Sequence, residues 1–189
     1  MEEYHDRLLI LAREVLSASL GIGDVPMYEL LKKRDDPFFT RKRGVFVTLR
    51  TKDGALRGCI GSLFGYQPLV DQVARLAHEA AFNDPRFKPV AAEELGGLVI
   101  EISLLTEPEP VSSWREIRVG VDGIILEHGG RRAVFLPHVA TEQGWDLETT
   151  LKHLSRKAGL REEGYLDPQA AFEVFQVTVF SERNNENKV

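Results

Sequence analysis

The sequence is short of several things, and each shortage excludes a class of protein. It has one cysteine in 189 residues, so no internal disulfide forms, and a leftover thiol fits a reducing compartment; the expected location is the cytoplasm. It has no long apolar run: the longest, Leu98 to Leu105, falls far short of the ~20 residues that span a bilayer, so no membrane span is expected. It has no excess of positive charge. Lys and Arg number 24 against 29 Asp and Glu, a net charge of -5, which is the wrong sign for neutralising phosphates; nucleic acid is not an expected partner, and an RNA-binding regulator is the third and least favoured function. Phosphate-cradling glycine motifs of the Walker or dinucleotide type are missing too. The opening residues carry acids where a signal peptide carries positive charge, and Arg13 and Glu14 interrupt any apolar core, so the start reads as mature.

What is present is an ordinary globular composition, 43% hydrophobic and 28% charged, in a length that suits one domain or two interdependent lobes. Leu8, Leu11, Ala12 and Val15 recur at helical spacing and predict a first amphipathic helix that stops near Gly21 and Gly23. Residues 44–50 are rich in β-branched and aromatic types. Asp53-Gly54 follows as a hairpin signal, and residues 55–63 return as the second strand. Pro68 opens a helix with Leu69, Val73, Leu76, Ala77 and Ala80 on its buried stripe, which Asn83-Asp84-Pro85 breaks. Leu98, Ile100, Ile102 and Leu104 alternate as one face of a further strand.

The prolines at 108 and 110 bar both helix and central strand, so this segment reads as a crossing between lobes. Ile117–Val121, Ile124–His128 and Arg131–Leu136 read as a β-meander. A short helix over Val139–Gln143 stops at Gly144, and Asp146 caps a helix with Leu147, Leu151, Leu154 and Ala158 inward. Phe172–Phe180 reads as one buried strand returning to the first sheet. The expected architecture is α+β and two-lobed, an antiparallel sheet with helices in a discontinuous larger subdomain of about 1–110 plus 168–183. The smaller inserted subdomain, about 111–167, holds the meander and helix, and the tail 184–189 is expected to fray.

A two-residue turn at Asp53-Gly54 pairs Thr51 with Leu56, Arg50 with Arg57, Leu49 with Gly58, Thr48 with Cys59, Val47 with Ile60 and Phe46 with Gly61. Alternation then puts Cys59 on a face with Phe46, Thr48, Arg50, Arg57 and Gly61. Two opposed arginines repel unless both reach water or an anion lies between them, and Gly58 and Gly61 in a strand interior point to a close approach by a neighbouring element or a ligand. The positive field favours a Cys59 thiolate, the nucleophilic form. A free cysteine more usually acts as a small buried hydrophobe. His78 on the long helix is the best candidate base for Cys59, and Glu101 is a candidate functional carboxylate or partner for Arg57. His138 and Glu142 sit four apart on one short helix, but no third ligand follows at a recognised spacing; no metal and no cofactor are expected.

The hexapeptide Leu56-Arg57-Gly58-Cys59-Ile60-Gly61 resembles the hallmark of the AMMECR domain family, named for a human chromosomal region linked to Alport syndrome, midface hypoplasia and elliptocytosis. The resemblance continues through Asp84-Pro85-Arg86-Phe87, Leu136-Pro137, Val139 to Trp145 (including Glu142) and Lys157-Ala158-Gly159-Leu160. It implies two subdomains, the larger containing both termini, with hallmark side chains toward a cleft between them. It also implies a place beside a Memo-like protein and a radical S-adenosylmethionine protein, as component A of an AmmeMemoRadiSam system, without naming a reaction. Two functions follow from the residues and the resemblance together: a module binding a substrate or peptide at the hallmark strand, or a thiol-dependent enzyme with Cys59 as nucleophile, Arg57 beside it and His78 as base. Oligomeric state is not legible in the sequence.

Overall fold

The computed structural model describes residues 1–33 and 35–183; the tail expected to fray, 184–189, lies outside them. The chain is an α+β protein that divides into two units, Met1–Leu105 with the chain from Thr178, and Thr106–Val177.

The first unit carries a four-stranded sheet in the order β2 (Leu56–Ser62), β1 (Val45–Thr51), β3 (Leu98–Leu105) and β8 (Val177–Ser181), numbered in chain order. Helices α1 (Glu2–Ser19), α2 (Pro26–Lys33), α3 (Pro37–Thr40) and α4 (Leu69–Phe82) belong to the same unit. The period-2 pattern of β1 and β3 turns Val45, Val47, Leu49, Ile100 and Ile102 to one face, where they are fully buried with Leu8, Leu11, Leu16, Val73 and Leu76 of α1 and α4. Arg13 ties α1 to this sheet by donating to the carbonyls of Leu95 (2.9 Å) and Leu98 (2.8 Å) and to the Glu182 carboxylate, which also accepts the Ile100 N–H at 2.7 Å. The short helices α2 and α3 are absent from the pattern reading, because each is too brief to show helical periodicity.

The second unit has a sheet in the order β4 (Glu109–Val111), β7 (Ala171–Phe175), β5 (Gly123–His128) and β6 (Arg131–Phe135), with α5 (Pro137–Gln143) and α6 (Leu147–Lys157). Ile124, Leu126 and Phe172 pack with Leu151, Leu154 and Tyr165 as its core. Asp146 caps α6 by accepting the Thr149 N–H at 2.8 Å, and Gly144 ends α5 in the left-handed region at φ 66°. Pro110 sits in β4, an edge strand, where a missing N–H is tolerated.

Two expectations need correction. Ile117–Val121 is not the first strand of a meander: Asp122, 3% exposed, accepts the Arg118 N–H at 2.9 Å and pairs with its guanidinium, closing a turn. Phe172–Phe180 is two strands, β7 in the second sheet and β8 in the first. The break is Gln176, which donates to Thr106 Oγ1 (2.9 Å) and accepts the Thr106 N–H (2.9 Å) through its backbone carbonyl. The two units divide at 105/106 and 177/178, next to this bonded pair.

The strand glycines are explained by neighbours within the first unit. A Cβ on Gly58 would lie 2.1 Å from the Ala80 carbonyl oxygen of α4, and a Cβ on Gly61 would lie 2.1 Å from the Phe46 ring. Gly58→Ala is expected to cost about 1–3 kcal/mol, because strand and helix backbones must part. Gly61→Ala is expected to cost less, and to recover when Phe46 is shortened to Ala in the same chain. Urea unfolding midpoints of the three variants check this; equal losses without rescue would contradict it.

Candidate functional site

The hairpin places the hallmark strand with one departure from simple alternation. Val45–Leu49 pair with Gly58–Ser62 in the expected register, but the loop is longer than two residues, closed by Thr51 N–H to the Ala55 carbonyl (2.9 Å) and Gly54 N–H to the Thr51 carbonyl (2.9 Å). Only Gly54 takes a positive φ there, so the turn is not the type that needs both central residues left-handed. A bulge absorbs the extra residue. Arg50 pairs with Leu56, and Arg57 is left without a cross-strand partner.

The expected opposition of Arg50 and Arg57 therefore does not form. Arg57 donates from Nε (2.7 Å) and Nη2 (2.9 Å) to the two carboxylate oxygens of Glu94, a bidentate pair. That bond holds the Glu94 carboxyl below the usual carboxylate range and raises the guanidinium, the Glu94 hydrogen bond being the largest cause of the latter. The guanidinium carbon also lies 5.9 Å from the Phe87 ring centre. Arg57 is thus paired with Glu94 rather than with Glu101, and its Nη1 is buried without a hydrogen-bond partner.

Gly58 faces α4, so Cys59, next along the strand, turns to the opposite face of the sheet. There it meets Thr48, its cross-strand neighbour, whose hydroxyl donates to the Cys59 sulfur at 3.2 Å. Thr48 is in turn opposite Glu101 on β3, and the Glu101 carboxylate is 3.6 Å from Nη2 of Arg50. Cys59, Thr48, Glu101 and Arg50 form one polar cluster across three strands. Both main-chain groups of Cys59 are also held: its N–H donates to Asp84 Oδ2 (2.8 Å), and its carbonyl accepts from Arg86 Nη2 (3.1 Å).

The structure does not bring His78 to this cluster. It is exposed on α4, on the far side of the sheet, with Nδ1 3.0 Å from Ser19 Oγ and its ring 4.9 Å from that of Phe82. Glu142 is exposed on α5 of the second unit. Leu56 is partly exposed at the start of β2, and Ile60 packs against the first core. No group of three or more His, Cys, Asp or Glu able to hold a metal occurs among the described residues.

Asp84, Arg86 and Thr48 are site residues that the pattern reading did not single out. The sequence holds a signal for the first two, the stretch Asp84-Pro85-Arg86-Phe87, which is more than a helix breaker. Asp84 is 4% exposed, and Arg86 beside it holds its carboxyl far below the usual range, with the N–H groups of Cys59 and Arg86 adding to the effect against burial. A carboxyl whose folded value is depressed contributes stability above the ordinary value of ~3.9 and loses it as the pH falls through the folded value. Asp84→Asn is expected to cost about 1–3 kcal/mol at neutral pH and to flatten the fall in stability below about pH 5. Urea midpoints across that range check this, and an unchanged pH dependence would contradict it.

The AMMECR1 family profile matches residues 9–180. A protein of Methanothermobacter thermautotrophicus is 48% identical over 150 residues, 76% of this chain and 78% of its own length. A protein of Thermococcus gammatolerans is 38% identical over 192 residues, 96% and 91% of the two chains. The crystal structure of the uncharacterized protein PH0010 from Pyrococcus horikoshii superposes with a TM-score of 0.69 at 37% identity, covering 93% of this chain and 89% of that one. With nearly its whole length matched, and with the hallmark strand built and braced as described, the chain belongs to the AMMECR1 family.

Proposed function

We propose that this protein is a binding module whose ligand, a small-molecule substrate or a peptide, is received on the polar face around Cys59. The observation that carries the reading is the identity of the thiol's partner. The Cys59 sulfur is met by a hydroxyl that donates to it, Thr48 Oγ1 at 3.2 Å, and Arg86, which also feels the Cys59 side chain, is bonded to Asp84 and to the Cys59 carbonyl. A nucleophilic thiol needs a base within reach to take its proton; the candidate base, His78, lies beyond the sheet. Cys59 in this reading is a contact group.

Arg50 and Glu101 define the chemistry of the occupant. Their 3.6 Å separation is longer than a hydrogen-bonded ion pair, and their side chains keep 38% and 25% of their exposure. Each retains capacity for a further partner, which suits a ligand carrying both a cationic or donor group and an anionic or acceptor group, as a peptide or a zwitterionic metabolite does. The pathway we propose is the one shared with Memo-like and radical S-adenosylmethionine proteins. The compartment is the cytoplasm, where the lone thiol stays reduced.

Complementation of a strain lacking the gene separates binding from thiol chemistry. Cys59→Ser keeps a group that accepts the Thr48 hydrogen bond and is expected to complement. Arg50→Gln with Glu101→Gln is expected to fail while remaining folded. The reverse pattern, a folded but inactive Cys59→Ser beside an active double variant, would replace the binding module with an enzyme using Cys59 as nucleophile.

A further inference from the structure

β2 is the outer strand of its sheet. An outer strand presents the N–H and C=O of alternate residues to whatever lies beyond it, and unpaired groups there invite another strand. At Cys59 both positions are filled by side chains from one short stretch: the N–H reaches Asp84 Oδ2 at 2.8 Å, and Arg86 Nη2 reaches the carbonyl at 3.1 Å. The two side chains lock each other, Arg86 Nε to Asp84 Oδ1 at 3.0 Å and Nη2 to Oδ2 at 2.7 Å, and Oδ1 also accepts the Arg86 backbone N–H at 3.1 Å. Pro85 between them fixes one backbone angle, and the guanidinium lies 5.5 Å from the Phe87 ring centre.

The count of acceptor sites decides what Asp84 is for. A carboxylate offers about four lone-pair positions, and the four bonds just described occupy them. Nothing is left over for a proton from a substrate. Arg86 in turn spends Nη2 on the Cys59 carbonyl as well as on Asp84, so a donor and an acceptor present themselves to Cys59 as the backbone of a neighbouring strand does.

We infer that Asp84 and Arg86 are positioning residues of the Cys59 site: they stand in for a missing neighbour strand, fix the Cys59 backbone so that its sulfur stays on Thr48, and close the edge at this residue to strand addition. A ligand is therefore met by side chains on the polar face, and a peptide does not join the sheet as a fifth strand at Cys59. The inference rests on the reading of that face as the binding site.

Because Cys59 is the sole thiol, the alkylation rate of the whole chain by iodoacetamide reads this residue alone. The test takes that rate at its high-pH plateau, where the thiolate is fully formed, together with amide hydrogen exchange of Cys59, in Arg86→Gln, Arg86→Lys and a control. The control, Tyr28→Phe, removes a 2.6 Å bond to Asp71 in the same unit without touching the clamp. In Arg86→Gln the Cys59 amide is expected to exchange about tenfold faster than the control's loss of stability explains, the factor that follows from one charge-assisted hydrogen bond. The plateau rate is expected to rise as the sulfur leaves Thr48. Arg86→Lys keeps the charge on Asp84 but not the fork that bridges to the carbonyl, so it is expected to move both readouts the same way by a smaller factor; it carries the test if Arg86→Gln does not fold. Changes in both Arg86 variants that merely track stability as the control does, with plateau rates unaltered, would overturn the inference. Neither readout uses a ligand, so failure of the binding reading leaves them unmoved.

Discussion

The hydrogen bond from the Cys59 amide to the Asp84 carboxylate is the contact on which the hallmark strand depends. β2 has a partner on one side only. Its other side is held at its centre by a buried carboxylate whose charge is stabilised by Arg86 and by two backbone N–H groups. A buried ionised group without partners is costly, whereas one with every acceptor position filled rigidifies what it touches. Here what it touches is the backbone of the one cysteine.

Two close approaches inside the first unit complete that constraint. Gly58 lets the Ala80 carbonyl of α4 lie against the strand, and Gly61 makes room for the Phe46 ring. The glycines are thus spent on packing, and the chemistry is left to the residues between and opposite them. α4 and the core fill one face of the sheet; Thr48, Cys59, Glu101 and Arg50 share the other. The bulge at Arg57 divides the two arginines between the groups, one committed to Glu94 and one beside Glu101.

Much of this was legible from residue order. Period-2 alternation in β1 and β3 marks which side chains are buried. The Thr48–Cys59 pairing follows from the Asp53-Gly54 turn signal, and it survives the longer loop because the bulge at Arg57 takes up the extra residue. Asp146 and Gly144 announced the ends of α6 and α5 through the groups a helix end needs. The failures have a common cause. Asp53-Gly54 looks like a two-residue turn, and only the closing bonds reveal the extra residue that makes the bulge. Phe172 to Phe180 is apolar enough to be one strand, and its break at Gln176 comes from Thr106, 70 residues away. The clamp joins Cys59 to residues 25 and 27 positions later, a pairing that no local pattern encodes; the Asp-Pro-Arg-Phe stretch marked the place without stating its role. Likewise His78 is a candidate by residue type alone, and the sheet that separates it from Cys59 appears only in three dimensions.

The function we propose is recognition on a braced surface, with the thiol as one contact among several polar groups. The bracing of the hallmark strand rests on the bond between Asp84 and the Cys59 amide, and NMR reads it directly as the pH dependence of that amide proton. The expected result is a resonance that holds its position as the pH passes through the ordinary carboxylate value of ~3.9 and moves only below it. A Cys59 amide that titrates at the ordinary carboxylate value, or that shows no response to Asp84→Asn, would contradict it.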